Sequence, residues 1–564
     1  MRRTIKRLLA TCIICANYYS YTMKNLYQAC KLFAILFLHL IFSTSCYSQS
    51  TIPHLQKQGT AIQLIVDDHP YIVLGGELHN STSSSLEYME PRLEMFSDNH
   101  LNTVLASVCW DLLEPVEGKY DFSLVDGLIN ASRRNNLRVC ILWFASWKNG
   151  VSSYVPLWVK TDTKRFPRAK NKEGRSLDII STFSDACREA DSRAFAALMR
   201  HVREIDGDAH TVIMVQVQNE VGVLSDSRDR NQVANKAFSQ DVPKELISYL
   251  KKNKDELVPG FRAKWEANGF KTSGNWEDIF GASTSTDEIF MAWNYARYVG
   301  KVAEAGKAEY PIPMFVNTWL SDWRPSAQMT PGDYPSGGPL PYVMDIWNAG
   351  APQIDILAPD IYSNFEERCD LYHRPNNPLF IPEMVRDAHT IGAIFYALGQ
   401  HDVIGFSPFG MESLPEFSKD LGECYQFLST ITPVVLENQG KSAIGGAFLN
   451  KENPKQSLHI GDYNINLSIA SHYSFPTPDY PSGIFIQIAP DEFIVGGRGL
   501  NVTFTAATPG NPNVGVARVE DGVFVNGRWV AGRILNGDEI LSGRGVRLRG
   551  DYYMTTRIKL YRYR

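Results

Sequence analysis

A chain of 564 residues that is 44% hydrophobic, 12% aromatic and 21% charged has the composition of a folded globular protein, which excludes a disordered, collagenous or coiled-coil chain. Residues 1–48 contain six Lys and Arg and no acid, so the remainder sets 50 bases against 61 acids. A surface this acidic with no basic run repels phosphate, and neither nucleic acid nor an anionic membrane surface is an expected partner.

The first element in the chain is an address. Leu32 to Phe42 is an apolar stretch of about signal-peptide length, too short to span a bilayer comfortably, with Lys24 and Lys31 as its positive flank. Met23 offers an alternative start. Cleavage before Gln49 would make 1–48 a leader and place the protein across a membrane, periplasmic or at the cell surface, with no membrane span of its own. The rival reading is a lipid anchor at Cys46, where Ser43-Thr44-Ser45-Cys46 loosely resembles a lipobox. Beyond the leader lie Cys109, Cys140, Cys187, Cys369 and Cys424, an odd and widely spaced set with no C-x-x-C. This fits buried thiols better than a disulfide framework or a zinc site.

From residue 70 to 410 one pattern repeats: a short apolar run, then a longer polar or amphipathic stretch. The runs are Tyr71–Leu74, Thr103–Val108, Arg138–Trp143, Thr211–Val217, Met314–Asn317, Ile354–Ala358, Leu379–Pro382 and Val403–Phe406. Near-continuous apolar strands alternating with helix-length segments indicate a parallel sheet covered by helices, and this number of repeats predicts a (β/α)8 TIM barrel over 49–435. Leu86–Met95, Ser123–Arg134 and Asp191–Val202 have helical spacing, with Asp191 placed as an N-cap. Val221 to Pro313 is too long for a loop, so it must carry helices of its own and build a wall of the active site. The Pro/Gly-rich stretch Pro331 to Pro341 cannot be regular structure. After Leu436 the texture becomes alternating, as in Gly483–Ile488, Asn501–Thr505, Gly522–Val525 and Thr556–Leu560, which predicts a C-terminal antiparallel β-sandwich over 436–564. With Trp529 its one tryptophan, a stabilising or oligomerising role, a homodimer included, is favoured there over carbohydrate binding.

A barrel of this kind places its chemistry at the C-terminal ends of its strands. The fourth run ends in Gln218-Asn219-Glu220 and the seventh in Pro382-Glu383, so two glutamates emerge on one rim. Two carboxyl groups flanking one bond are what glycoside hydrolysis with retention requires, one to attack the anomeric carbon and one to protonate the leaving oxygen. Asn219 is placed to bind the sugar 2-hydroxyl. Other substrate-binding candidates are Tyr362 after the sixth run, positioned to hydrogen-bond Glu383, and Trp110, Trp147 and Trp319, each able to stack on a pyranose. Glu77, His79 and Asn80 follow the first run, and Glu412 the eighth. His79 has no partner at ligand spacing, and the chemistry needs neither metal nor cofactor.

Asn-Glu ending strand four with Glu ending strand seven resembles the hallmark of the large glycosidase clan built on this barrel. The run Trp110-Asp111-Leu112-Leu113-Glu114-Pro115, with Gly118, Tyr120 and Phe122, is similar to the second-strand signature of its β-galactosidase families 35 and 42. Leu142–Phe144, Trp147–Gly150 and Tyr154–Lys160 resemble a bacterial subgroup of glycoside hydrolase family 35, whose C-terminal β-domain Val530–Glu539 resembles in turn. The resemblance implies Glu220 as acid/base, Glu383 as nucleophile, and a β-galactosidase trimming terminal β-linked galactose from plant or algal oligosaccharides. The chain differs from many members in carrying Gln218 where they have Glu and Asn80 where they have Tyr. Alternatives are a retaining glycosidase of other specificity (β-mannosidase, arabinosidase or glucanase), a transglycosylase, or a non-catalytic glycan-binding protein; the last is disfavoured because both carboxylates are present.

Overall fold

A computed structural model describes residues 51–564 apart from 322–328, 472–474 and 526. The leader and the candidate anchor Cys46 lie outside the described residues. Eight strands close into a parallel barrel: β1 (Val73–Glu77), β2 (Thr103–Cys109), β3 (Arg138–Lys148), β4 (Val212–Asn219), β5 (Met314–Trp319), β6 (Ile356–Ile361), β7 (Phe380–Met384) and β8 (Gly405–Pro408), with β8 returning to β1. Each apolar run of the sequence supplies one strand, because a parallel strand is covered by helices outside and by barrel filling inside and therefore has no polar face. The strands outrun their sequence signal at the rim, β3 and β6 notably. β3 continues to Lys148, and β6 passes through Pro359 and Asp360, a pair that reads as a turn but here stays extended beside Thr318 and Trp319 of β5.

An antiparallel sheet of His54–Gln58, Ala61–Val66 and His69–Tyr71 precedes the barrel and was not expected from the sequence. Its Leu64 and Val66 pack with Val73, Leu105, Leu142, Ile213, Phe315 and Phe380 in the barrel filling. Ser184, not Asp191, caps the helix Asp185–Asp206; Asp191 lies two turns inside it, fully buried. The long connection between β4 and β5 does contain helices, Gln232–Phe238, Lys244–Lys252, Pro259–Ala267, Trp276–Phe280 and Thr284–Glu309. Asn231, Asn275 and Ser283 begin three of them by accepting a backbone N–H at the first turn, Asn275 in a reciprocal box with Asp278. The described thiols Cys109, Cys140, Cys187, Cys369 and Cys424 are free and buried. Among the described residues no helix is long and apolar enough to cross a membrane.

The last barrel helix, Pro415–Asn438, leads into two antiparallel sheets. One has six strands in the order Ile444–Phe448, Ser482–Ala489, Glu492–Arg498, Met554–Tyr563, Asn513–Val525, Arg528–Ile534; the other has Lys455–Ile460, Tyr463–Ile469, Leu500–Ala506 and Gly545–Arg547. Phe485, Phe493, Val495 and Ile558 of the first meet Ile465, Val502 and Phe504 of the second, the interleaving of two inner faces that makes a sandwich. The other face of the six-stranded sheet turns to the barrel, where Ile484, Ile486 and Ile494 join the core that holds Phe395, Phe427 and Ile431. The approach is closest where helix Ala388–Gln400 crosses the first strand: a Cβ on Gly446 would stand 1.8 Å from the Phe395 carbonyl oxygen, and one on Gly399 would stand 1.9 Å from the Gly446 nitrogen.

Candidate active site

At the end of β4 the chain leaves the barrel through an unusual turn. Gln218 has φ +67° and Glu220 φ +44°, a left-handed backbone that non-glycine residues adopt only when their surroundings hold them there. The restraints are polar and buried. The Gln218 side chain accepts from the Trp147 backbone N–H at 3.0 Å and donates to Asp191 at 2.7 Å, while Asp191 also accepts from the Trp143 indole at 2.9 Å and the Ser146 hydroxyl at 2.5 Å. The Glu220 N–H donates to Asn317 Oδ1 at 2.9 Å.

Around this turn the rim residues converge on a cavity of about 430 Å³, within the range of small-ligand sites. Glu220 and Glu383 enter it from β4 and β7, 6% and 5% exposed. One oxygen each of Glu220, Glu383 and Asp360 lie within 4.8 Å of one another. Glu383 Oε2 accepts the Tyr362 hydroxyl at 2.9 Å, and its Oε1 has longer contacts with Asn219 Nδ2 (3.4 Å) and Asn317 Nδ2 (3.5 Å). Asn317 Nδ2 also donates to Asp360 Oδ2 at 2.8 Å. Glu220 Oε2 accepts from Asn149 Nδ2. Burial and then the charge of Glu383 push the Glu220 carboxyl up to about 7, against the pull of the Lys148 ammonium. Glu77, on β1, is buried with no hydrogen-bond donor to either oxygen, and burial followed by the Glu383 charge holds it well above the usual carboxylate range. Carboxylates this close are also a donor set for a hard cation. Here amide and phenol donors already reach all three, and the only cation lining the cavity among the described residues is Lys148.

Of the candidates read from the sequence, Glu220, Glu383, Tyr362, Trp319 and Asn80 line the cavity, with Asn219 and Glu77 buried beside Glu383. Three are not. Trp110 is fully buried because β2 runs directly into the short helix Trp110–Leu113, which turns the indole into the wall, where it donates to Glu114 at 2.7 Å and packs on Trp158. Trp147 is equally buried, donating to the Ile180 carbonyl at 3.0 Å between Tyr295 and Tyr298. Neither indole can stack on a sugar. His79 sits half-buried against the loop after β8: its backbone N–H donates to Glu412 at 3.0 Å, its ring nitrogen Nε2 is 2.5 Å from the Ser413 hydroxyl, and its ring meets Phe409 edge-on. Phe409 stands at the cavity surface in its place. Sequence reasoning missed Lys148, Asn149, Asn317 and Asp360 as site residues. For Asp360 a signal existed: it lies two residues before Tyr362, and in an extended strand that spacing puts both on one face.

Residues 80–282 match the family model described as Beta-galactosidase, that of glycoside hydrolase family 42, and residues 421–547 match one described as Domain of unknown function (DUF5597). The match is to family 42, the other family whose second-strand signature the chain resembles, and does not support the finer placement in family 35. A β-galactosidase of Xanthomonas manihotis is 28% identical over 199 residues, 34% of this chain and 30% of that protein. The chain thus spans less than a third of that relative. Solved structures with similar folds include the cold-adapted β-galactosidase of Rahnella sp. R3 (15% identity, TM-score 0.44, covering 64% of this chain and 57% of that one). Others are the β-galactosidase of Marinomonas ef1 (11%, 0.44, 65% and 62%) and the exo-β-1,4-mannosidase Op5Man5 of Opitutaceae bacterium strain TAV5 (15%, 0.33, 60% and 52%). In sequence the barrel is similar to β-galactosidase-type glycoside hydrolases.

Proposed function

We propose that the protein is a retaining exo-glycosidase, a β-galactosidase that releases terminal β-linked galactose from plant or algal oligosaccharides. The observation that carries the reading is the pair Glu220 and Glu383, from the ends of β4 and β7, with oxygens within 4.8 Å in one cavity. An approach this close favours the ~5–5.5 Å spacing of retaining pairs over the ~6.5–9.5 Å of inverting ones. The galactose assignment rests on the family-model match over 80–282.

In this reading Glu383 attacks the anomeric carbon while Glu220 gives its proton to the departing glycosidic oxygen. The bond to the leaving group breaks as the glycosyl–Glu383 ester forms. Water then enters on the Glu220 side, Glu220 takes its proton, and the oxygen displaces Glu383 with a second inversion. The Tyr362 hydroxyl and the two asparagine amides solvate Glu383 as an anion and receive it again as the leaving carboxylate. The indole of Trp319 at the cavity wall provides a face for the pyranose.

The chain from Gln49 onward, assayed on 4-nitrophenyl β-D-galactoside beside the matching glucoside, mannoside, fucoside and α-L-arabinoside, tests this. Turnover of the galactoside is expected, with the β-anomer appearing first by NMR. Glu383→Ala should abolish it, and Glu220→Ala should lower it by orders of magnitude with partial recovery in azide. First release of the α-anomer would rule out retention, and preference for another glycoside would overturn the specificity. Binding of glycans without turnover of any would make the barrel a lectin-like protein.

A further inference from the structure

Asp360 has no place in the two-carboxylate scheme, yet one of its oxygens lies within 4.8 Å of an oxygen of each member. It projects from β6 level with Glu383, its register partner on β7, and is 2% exposed. Its Oδ2 is occupied by the Asn317 amide at 2.8 Å. Its Oδ1 is buried with no N–H or O–H donor in reach. Burial first, and then the acids around it, Glu383 from β7, Glu220 at the end of β4 and Glu77 from β1, raise its carboxyl well above the usual range. The Tyr362 hydroxyl, at the end of the same strand, is committed to Glu383. The cation of the cavity, Lys148 on β3, acts on Glu77 and Glu220. Four buried carboxyl groups around one ammonium do not all ionise; like charges this close are resolved by leaving protons bound. A carboxylate oxygen with no donor is costly to bury, whereas the same oxygen carrying a proton becomes a donor with an acceptor beside it.

We infer that Asp360 is a positioning residue that keeps its proton and donates it in a hydrogen bond to Glu220, so that the acid/base carboxyl is solvated by a second carboxyl where other sites would use water or an amide. This deepens the proposed function and rests on Glu220 being the acid/base. Asn149 at Oε2 gives Glu220 a donor of its own; Asp360 adds a second, and Asn317, which binds both Asp360 and the Glu220 backbone N–H, fixes their relative position. The proton on Asp360 does not move during turnover. The mobile proton passes from Glu220 to the leaving oxygen and is restored from water. Asp360 acts through its donor, which favours the carboxylate form of Glu220 and so helps the second half-reaction, where Glu220 must accept a proton.

Infrared spectroscopy and kinetics together test this. In the wild-type minus Asp360→Asn difference spectrum at neutral pH, a protonated-carboxyl C=O band is expected, shifted when aspartate is 13C-labelled; carboxylate bands alone would overturn the proposal. Kinetically, Asp360→Leu removes the donor, so Glu220 should hold its proton more tightly, moving the alkaline limb of kcat/KM up by about one pH unit. The same change should slow deglycosylation, lowering kcat and KM together. Asp360→Asn keeps an N–H in the same place and should restore the limb even if kcat falls. A limb that moves down in Asp360→Asn would mean that an anion had been removed, and would overturn the proposal. Should the wild type turn over no glycoside, the proposed function fails while the infrared bands still decide where the proton is.

Discussion

Glu220 is the residue on which the pH dependence turns. Its carboxyl is raised to about 7 by burial and by Glu383, and it serves as an acid only while protonated. kcat/KM should therefore fall on the alkaline side with an inflection near pH 7, measurable on a 4-nitrophenyl glycoside. Lys148 opposes the rise, so Lys148→Met should move that inflection upward; a downward move would mean the ammonium does not face Glu220. At this scale the sequence reveals what is tied to strand ends. Glu220 and Glu383 terminate apolar runs and needed only the barrel to meet. The indoles of Trp110 and Trp147 follow strands just as closely, yet they turn inward, because a large apolar ring is drawn into any available wall. Asn317 was illegible for another reason: an amide within an apolar run acquires meaning only from the neighbour across the strand, whereas Asp360 was signalled only by its two-residue spacing from Tyr362.

Among the elements, the helix Thr284–Glu309 and the loop after β5 are joined by a buried acid. Glu288 accepts the hydroxyls of Tyr334 (3.0 Å) and Tyr342 and the Gly337 N–H (3.3 Å), while Ser336 of that loop pairs with Val223 just beyond Glu220. Burial raises Glu288 from 4.5 to about 7, so the folded state binds a proton that the unfolded state gives up. Its contribution to stability is fully present below about pH 4.5 and is lost as pH rises through about 7, a change on the order of 3 kcal/mol at most. Glu288→Gln, which still offers an oxygen to both tyrosines, should flatten that dependence in urea unfolding between pH 5 and 8; parallel curves for the two proteins would show that Glu288 ionises freely. Three of the five helices of this connection carry a side-chain cap legible in the sequence, whereas the acid that fastens one of them to the rim looks in sequence like any surface glutamate.

At the scale of the whole molecule, residues 51–564 form one compact unit, and the barrel and the sheets share a core through Ile484, Ile486 and Ile494. A chain ending at residue 435 would expose that surface, and the full chain is expected to unfold in one transition, with the truncated one insoluble or molten. Gly446→Ala should lower the midpoint of the whole transition, since its methyl would collide with the Phe395 carbonyl; separate melting of two parts would contradict the shared core. The change of texture after Leu436 is visible in the sequence a few residues before the first strand at Ile444. Alternation marks which residues share a face of that sheet, but not that one face is reserved for a helix.

The close crossing of helix Ala388–Gln400 over the Gly446 strand also bears on how such proteins are recombined. The C-terminal family match begins at residue 421, inside the helix Pro415–Asn438, so sequence similarity already disregards the boundary that secondary structure suggests. A chimera joined at the first sheet strand would set two barrel helices from one parent against a sheet fitted to another, with no space for a methyl group between them. Viable breakpoints are expected upstream of Ala388, which would transplant the glycine pair Gly399 and Gly446 as one inherited unit.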